Sequence, residues 1–97
     1  MRKITKLAID KFYSAEPFKS GNTEVKVYPN VTVLKLHYNT IAYLYNDPEK
    51  TLSISTCGWN TPTTKERLNG LKGVQLSTKK GVLYLNGNVW NGNLKDI

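Results

Sequence analysis

Few residues in this chain have side chains suited to catalysis. Cys57 and His37 are the only thiol and imidazole, and together they could serve as nucleophile and base. They fall on different predicted strands with nothing nearby to orient the imidazole, so a strand-face histidine and a packed cysteine explain them better. A structural zinc site needs about four Cys or His ligands; the chain holds one of each. Asp47 and Glu49 could approach each other, but Asn46-Asp47-Pro48-Glu49-Lys50 is turn chemistry. The glycines stand singly, and no phosphate-cradling loop of the P-loop or dinucleotide type is present. The expectation is a protein that is not an enzyme, with no catalytic residues, no metal and no cofactor.

Binding has more support. Lys and Arg outnumber Asp and Glu by 14 to 7, giving a formal charge of +7 and a pI near 9.6. Such an excess favours an anionic partner: nucleic acid, an acidic protein face or anionic lipid. Five basic residues, Lys65, Arg67, Lys72, Lys79 and Lys80, lie between positions 65 and 80 against the single acid Glu66. If their helix and hairpin pack as neighbours they form one cationic face, with Trp59 or Trp90 available for stacking. Thr63 and Thr64 add hydroxyls and free amides at a helix start, a seat for phosphate or carboxylate. A secondary basic face, Arg2, Lys3, Lys6 and Lys11, lines the first helix. The competing explanation makes the tryptophans core plugs and the lysines a solvated rim, and it weighs more on Trp90 than on Trp59. Tyr38, Tyr43, Tyr45 and Tyr84 fall on strands, where aromatics are enriched, and carry little functional weight.

The elements that must position these residues follow from periodicity. Ninety-seven residues with 39% hydrophobic and 10% aromatic content suit one folded domain, 1–97. Ile4, Leu7, Ala8, Phe12 and Ala15 recur at helical spacing, predicting an N-terminal helix over 1–16 that stops before Pro17. A β-meander follows over 24–56. Its strongest strand, Val31 to Tyr38, puts Leu34, Leu36 and Tyr38 on one face and turns at Asn39-Thr40. Residues 58–71 hold a turn and a short middle helix, capped by Thr63 with Glu66 reaching back, stopped at Asn69-Gly70 and anchored by Leu68 and Leu71. A C-terminal hairpin occupies 74–90, turning at Lys79-Lys80-Gly81, with a tight Asn86-Gly87 turn after it. The fold class is α+β: an antiparallel sheet of about five to six strands with the two helices on one face. Charges at Lys6, Asp10 and Lys11 interrupt any secretory core, no apolar run reaches membrane-span length, and one cysteine cannot form an internal disulfide. These features point to a non-membrane, cytoplasmic protein.

Gly58-Trp59, Thr61-Pro62-Thr63-Thr64, Glu66-Arg67-Leu68-Asn69 and Tyr84-Leu85-Asn86-Gly87 with Trp90 and Gly92 resemble a family of small uncharacterised tailed-bacteriophage proteins. Leu36-His37-Tyr38-Asn39-Thr40-Ile41-Ala42 is similar to a second recurring block of that family, and Phe18 with Asn22-Thr23 to its N-terminal part. The resemblance implies a phage accessory protein acting in the infected host cytoplasm, and it transfers no catalytic residues. Tyr38 departs from the pattern, standing where glycine is common in similar sequences. Charge and resemblance together suggest a basic module that binds nucleic acid, reading backbone more than base. The alternative is a protein-directed inhibitor of a host enzyme or antiviral defence factor, with an acidic host protein as partner. A minor virion component or homo-oligomer is the third reading.

Overall fold

A computed structural model describes residues 2–97. The chain runs α1 (Lys3–Tyr13), β1 (Phe18–Ser20), β2 (Thr23–Val27), β3 (Val31–Leu36), β4 (Asn39–Tyr45), β5 (Leu52–Ile54), α2 (Pro62–Leu68), β6 (Leu76–Lys79), β7 (Val82–Leu85), β8 (Asn88–Val89) and β9 (Lys95–Asp96). A six-stranded sheet has the order β1-β2-β3-β4-β5-β9 and a three-stranded sheet the order β6-β7-β8. Every pairing is antiparallel. The α+β architecture is the expected one. The C-terminal hairpin, however, forms its own sheet, because β9 occupies the free edge of β5. At three and two residues, the edge strands β1 and β9 are too short to show a period-two pattern.

Helix α1 buries Thr5, Ala8, Ile9 and Phe12. Leu7 and Ala15, expected on the apolar stripe, are exposed. The stripe is rotated because Thr5 is drawn inward by a polar cluster described below. The helix ends at Tyr13, before position 16, with Ala15 in a left-handed conformation (φ 54°). The Glu16 N–H donates to the Lys11 carbonyl (2.9 Å) and Ala15 N–H to that of Phe12 (3.3 Å), which is Schellman closure with alanine in the usual glycine position.

The β3–β4 turn falls at His37-Tyr38, two residues before the expected Asn39-Thr40. Leu36 pairs with Asn39, and His37 (φ 50°) and Tyr38 (φ 69°) both take positive φ, the pattern of a type I′ turn. A register shift between Leu34 and Lys35 leaves Ile41 as the extra residue of a β-bulge. Helix α2 also starts differently. Thr61, not Thr63, is its N-cap; its side chain accepts from the Thr64 N–H (3.2 Å), and Pro62 begins the helix. Proline's fixed φ and missing donor suit that first position. Glu66 does not close a capping box, because its carboxylate is engaged elsewhere.

One core serves both sheets. Ala8 and Phe12 join Val25, Leu34, Ala42 and Ile54 of the large sheet, Leu68 and Leu71 around α2, and Leu83, Leu85 and Trp90 of the small one. Leu68 and Leu71 anchor the short helix as expected. Trp90 is a core plug, and its indole N–H donates to the Asn93 carbonyl (3.0 Å).

Candidate functional site

Two chain segments enclose a cleft of about 450 Å³. The end of β3, its turn and the start of β4 supply Leu36, His37, Asn39 and Ile41; the approach to α2 and its first turn supply Thr56, Trp59, Thr61, Thr63 and Thr64. The second segment is held by the Gly92 carbonyl, which accepts from Thr56 N–H (3.0 Å), Thr56 Oγ1 (3.3 Å) and Ser55 Oγ (3.2 Å). Gly92 has φ +84°, and a Cβ there would collide with Thr56 Oγ1. Cys57 and Gly58, at φ 54° and 82°, then reverse the chain, and the Trp59 N–H donates back to the Thr56 carbonyl (2.9 Å). This tight reversal leaves the Trp59 side chain outside the core, 59% exposed at the cleft. Leu36, Ile41 and the indole make apolar walls, while His37, Asn39 and the threonines bring polar groups. Such a site suits a flat ring with polar edges.

The thiol and imidazole have separate partners. Cys57 is exposed rather than packed, and its Sγ donates to the Thr40 carbonyl (3.0 Å). His37 Nε2 lies 3.2 Å from Asn22 Nδ2. Among the described residues no group of three or more His, Cys, Asp or Glu side chains could hold a metal ion.

Arg67 corrects the expected cationic face: it is 1% exposed. Its Nε donates to Thr23 Oγ1 (3.2 Å), and its Nη1 to Thr5 Oγ1 and Glu66 Oε1 (2.5 Å each). Glu66 also accepts from the Thr5 hydroxyl and from the Arg2 N–H (3.3 Å). This cluster ties α1, β2 and α2 together. Burial pushes the Glu66 carboxyl up, but hydrogen bonds from Thr5 and Arg2 and the Arg67 charge outweigh it, holding the group below the usual glutamate range. Burial, reinforced by the nearby Arg2 charge, lowers Arg67 from its ordinary value. A guanidinium keeps its proton at neutral pH regardless.

The remaining basic residues divide. Lys65 Nζ donates to Thr78 Oγ1 (2.7 Å), and the Asn69 side chain bonds both the N–H and the carbonyl of Leu76, so α2 and the hairpin are neighbours as supposed. Lys79 and Lys80 sit exposed at the hairpin tip. Lys72 lies apart, beside the end of α1: its Nζ is 5.2 Å from the Tyr13 ring centroid and its N–H donates to the Tyr13 hydroxyl (2.9 Å). Burial raises that phenol above its ordinary pKa, against the opposing Lys72 hydrogen bond. The start of α2 is not an open anion seat. Thr64 is buried with its N–H taken by Thr61, and Thr63 Oγ1 accepts from Arg2 Nη2 (3.4 Å). On the secondary face Lys3 and Lys6 are exposed, whereas Lys11 pairs with Glu16 (2.6 Å) and Arg2 with Glu66 (3.5 Å). The cleft itself, outside Trp59 and the two threonines, was not anticipated from sequence. Tyr38, the bulky residue where the resemblance favours glycine, lines a neighbouring concavity rather than this cleft.

Among the described residues no helix is long and apolar enough to cross a membrane. No curated protein and no solved structure matches the chain significantly. A family model described as the Kyanoviridae Gp96 protein matches residues 1–95, nearly the whole chain, in keeping with the tailed-phage resemblance. The chain belongs to the Kyanoviridae Gp96 family of tailed-phage proteins.

Proposed function

We propose that this phage protein is a non-enzymatic nucleic-acid-binding module acting in the cytoplasm of the infected bacterium, with the Trp59 cleft as its base-contacting site. The observation that carries the reading is the indole itself, 59% exposed beside an apolar-walled cleft of about 450 Å³ on a chain of net charge +7. Stacking on such an indole tolerates any base, because every base has a π-face. Phosphate neutralisation falls to Lys65, Lys79 and Lys80, with Lys3 and Lys6 as a further group; Arg67 and Lys72 drop out of the expected set. Titration of Trp59 fluorescence with single- and double-stranded DNA and RNA across a salt series tests this. Binding that weakens with salt, and drops about tenfold in Trp59→Ala, is expected. No binding to any of these at the lowest salt refutes the reading.

A second reading, a protein-directed inhibitor of a host enzyme or antiviral defence factor, draws on a different surface. Val89 (70% exposed), Leu94 and Ile97 leave apolar side chains open near β8 and β9. Capture from nuclease-treated host lysate separates the two: a stoichiometric protein partner that survives the nuclease, and is lost in Val89→Lys, favours inhibition.

A further inference from the structure

We infer that the open face of the six-stranded sheet is a stacking platform for single-stranded nucleic acid, joined to the Trp59 cleft across the His37-Tyr38 turn; this rests on the nucleic-acid reading above. The pairing register separates the two faces. Val25, Leu34, Ala42 and Ile54 are cross-strand partners and belong to the core, on the side of the helices. The adjacent row, Lys26, Val33, Tyr43 and Ser53, must therefore point the other way, since side chains alternate along each strand. Val33 confirms the separation: it is only 6% exposed yet stands outside the core cluster, covered on the far face of the sheet.

On that face the Tyr43 and Tyr45 rings stack, with centroids 6.2 Å apart and planes 11° from parallel. Both remain partly open to solvent. Their exposed parts offer π surface on which a base can stack. Lys26 and Lys35 flank the tyrosines on β2 and β3, and Lys19 follows on β1. Two acids share the face. Glu24 pairs across the strands with both Lys19 and Lys35, and Asp96 accepts from the Ser53 hydroxyl at the far edge. The net excess of positive charge there is small, so stacking must supply most of the affinity.

Tyr38 links the platform to the cleft. A concavity of about 230 Å³ lined by Lys19, Lys35, His37 and Tyr38 lies at this end of the sheet, and His37 lines both it and the Trp59 cleft. Tyr38 is 86% exposed and has φ 69°, where glycine is at ease and a bulky side chain is strained. An aromatic ring in that position contributes no packing to the fold and strains the turn, so what it recognises lies outside the chain. Along β4 the path from Tyr45 to Asn39 is about 20 Å at the usual rise per residue, room for a short run of unstacked bases. Duplex bases are already stacked on one another and cannot reach these rings.

Fluorescence anisotropy with labelled 12-mer oligodeoxythymidine, oligouridine and a self-complementary DNA hairpin tests the assignment. Single strands are expected to bind at least tenfold tighter than the duplex. Tyr38→Gly and the pair Tyr43→Val with Tyr45→Val should each cost about tenfold in single-strand affinity with little change in salt slope, and Tyr43→Phe with Tyr45→Phe should restore it. Tyr38→Gly should bind less while melting higher, a combination a purely structural role does not produce. Folded variants that bind single strands like the parent, or equal affinity for the duplex, overturn the platform while leaving a backbone-reading protein. Loss of all binding at low salt overturns both readings. A self-associated protein dispersed to monomer by Tyr43→Val, with no single-strand preference, assigns the face to a second copy instead.

Discussion

Arg67 shows how misleading a charged residue can be when read alone. By sequence it sits among lysines on a short amphipathic helix and counts as a phosphate contact; in the fold it is the largest fully buried side chain. Removing one partner of a buried pair leaves the others desolvated without compensation. Arg67→Met is therefore expected to destabilise by about 3 kcal/mol in urea unfolding, whereas Lys79→Ala, at the exposed hairpin tip, should leave the midpoint unchanged. Glu66 gives this cluster a pH dependence. Its folded pKa lies below the ordinary value of about 4.3. The stabilisation is thus complete above that value and is lost as pH falls through the lowered folded pKa. Urea midpoints measured between pH 7 and pH 2 should fall less steeply below pH about 4.3 in Glu66→Gln than in the parent. Asp47, also lowered, mainly by hydrogen bonds from Thr51, contributes in the same direction and should leave a residual slope.

At the scale of elements, sequence reading succeeded where a local rule applied and slipped where two local rules competed. Asn86-Gly87 turns as its residue types demand, with φ of 50° and 86°. His37-Tyr38 makes the same kind of turn without the residue types that mark one, whereas the more turn-like Asn39-Thr40, two positions later, lies in β4. In α2 the Thr-x-x-Glu spacing points to Thr63, but Pro62 and Thr61 together start the helix two residues earlier. Thr61→Ala should accordingly cost about 1 kcal/mol of stability, and Thr63→Ala distinctly less. Gly92 positions the cleft from a distance of 36 residues through Thr56. Gly92→Ala would meet Thr56 Oγ1 in a left-handed conformation, and about 2 kcal/mol of destabilisation with a shifted Trp59 emission maximum is expected.

For the whole molecule, the charge excess is fixed by composition but its layout is not. An evenly shared cationic face would give a steep salt dependence. With Arg67 internal and Lys72 at the other end of the hairpin, three residues remain near the tip, Lys65, Lys79 and Lys80. The logarithm of affinity for a single strand should then fall against the logarithm of salt with a slope of about −2 at that group. A slope near −4 would require further lysines, from the secondary α1 face or from the open sheet face. Fold class, net charge and the helix and meander periods were present in the sequence, because each depends on composition or on neighbours a few residues apart; the tailed-phage kinship rested on the resemblance of its motifs to a family. Which charges face water, which tryptophan stays outside and which tyrosines line the open face were decided by the tertiary structure. Those outcomes rest on contacts such as Arg67 with Thr23 and Thr5, 44 and 62 residues away, and on a strand register that no local pattern specifies.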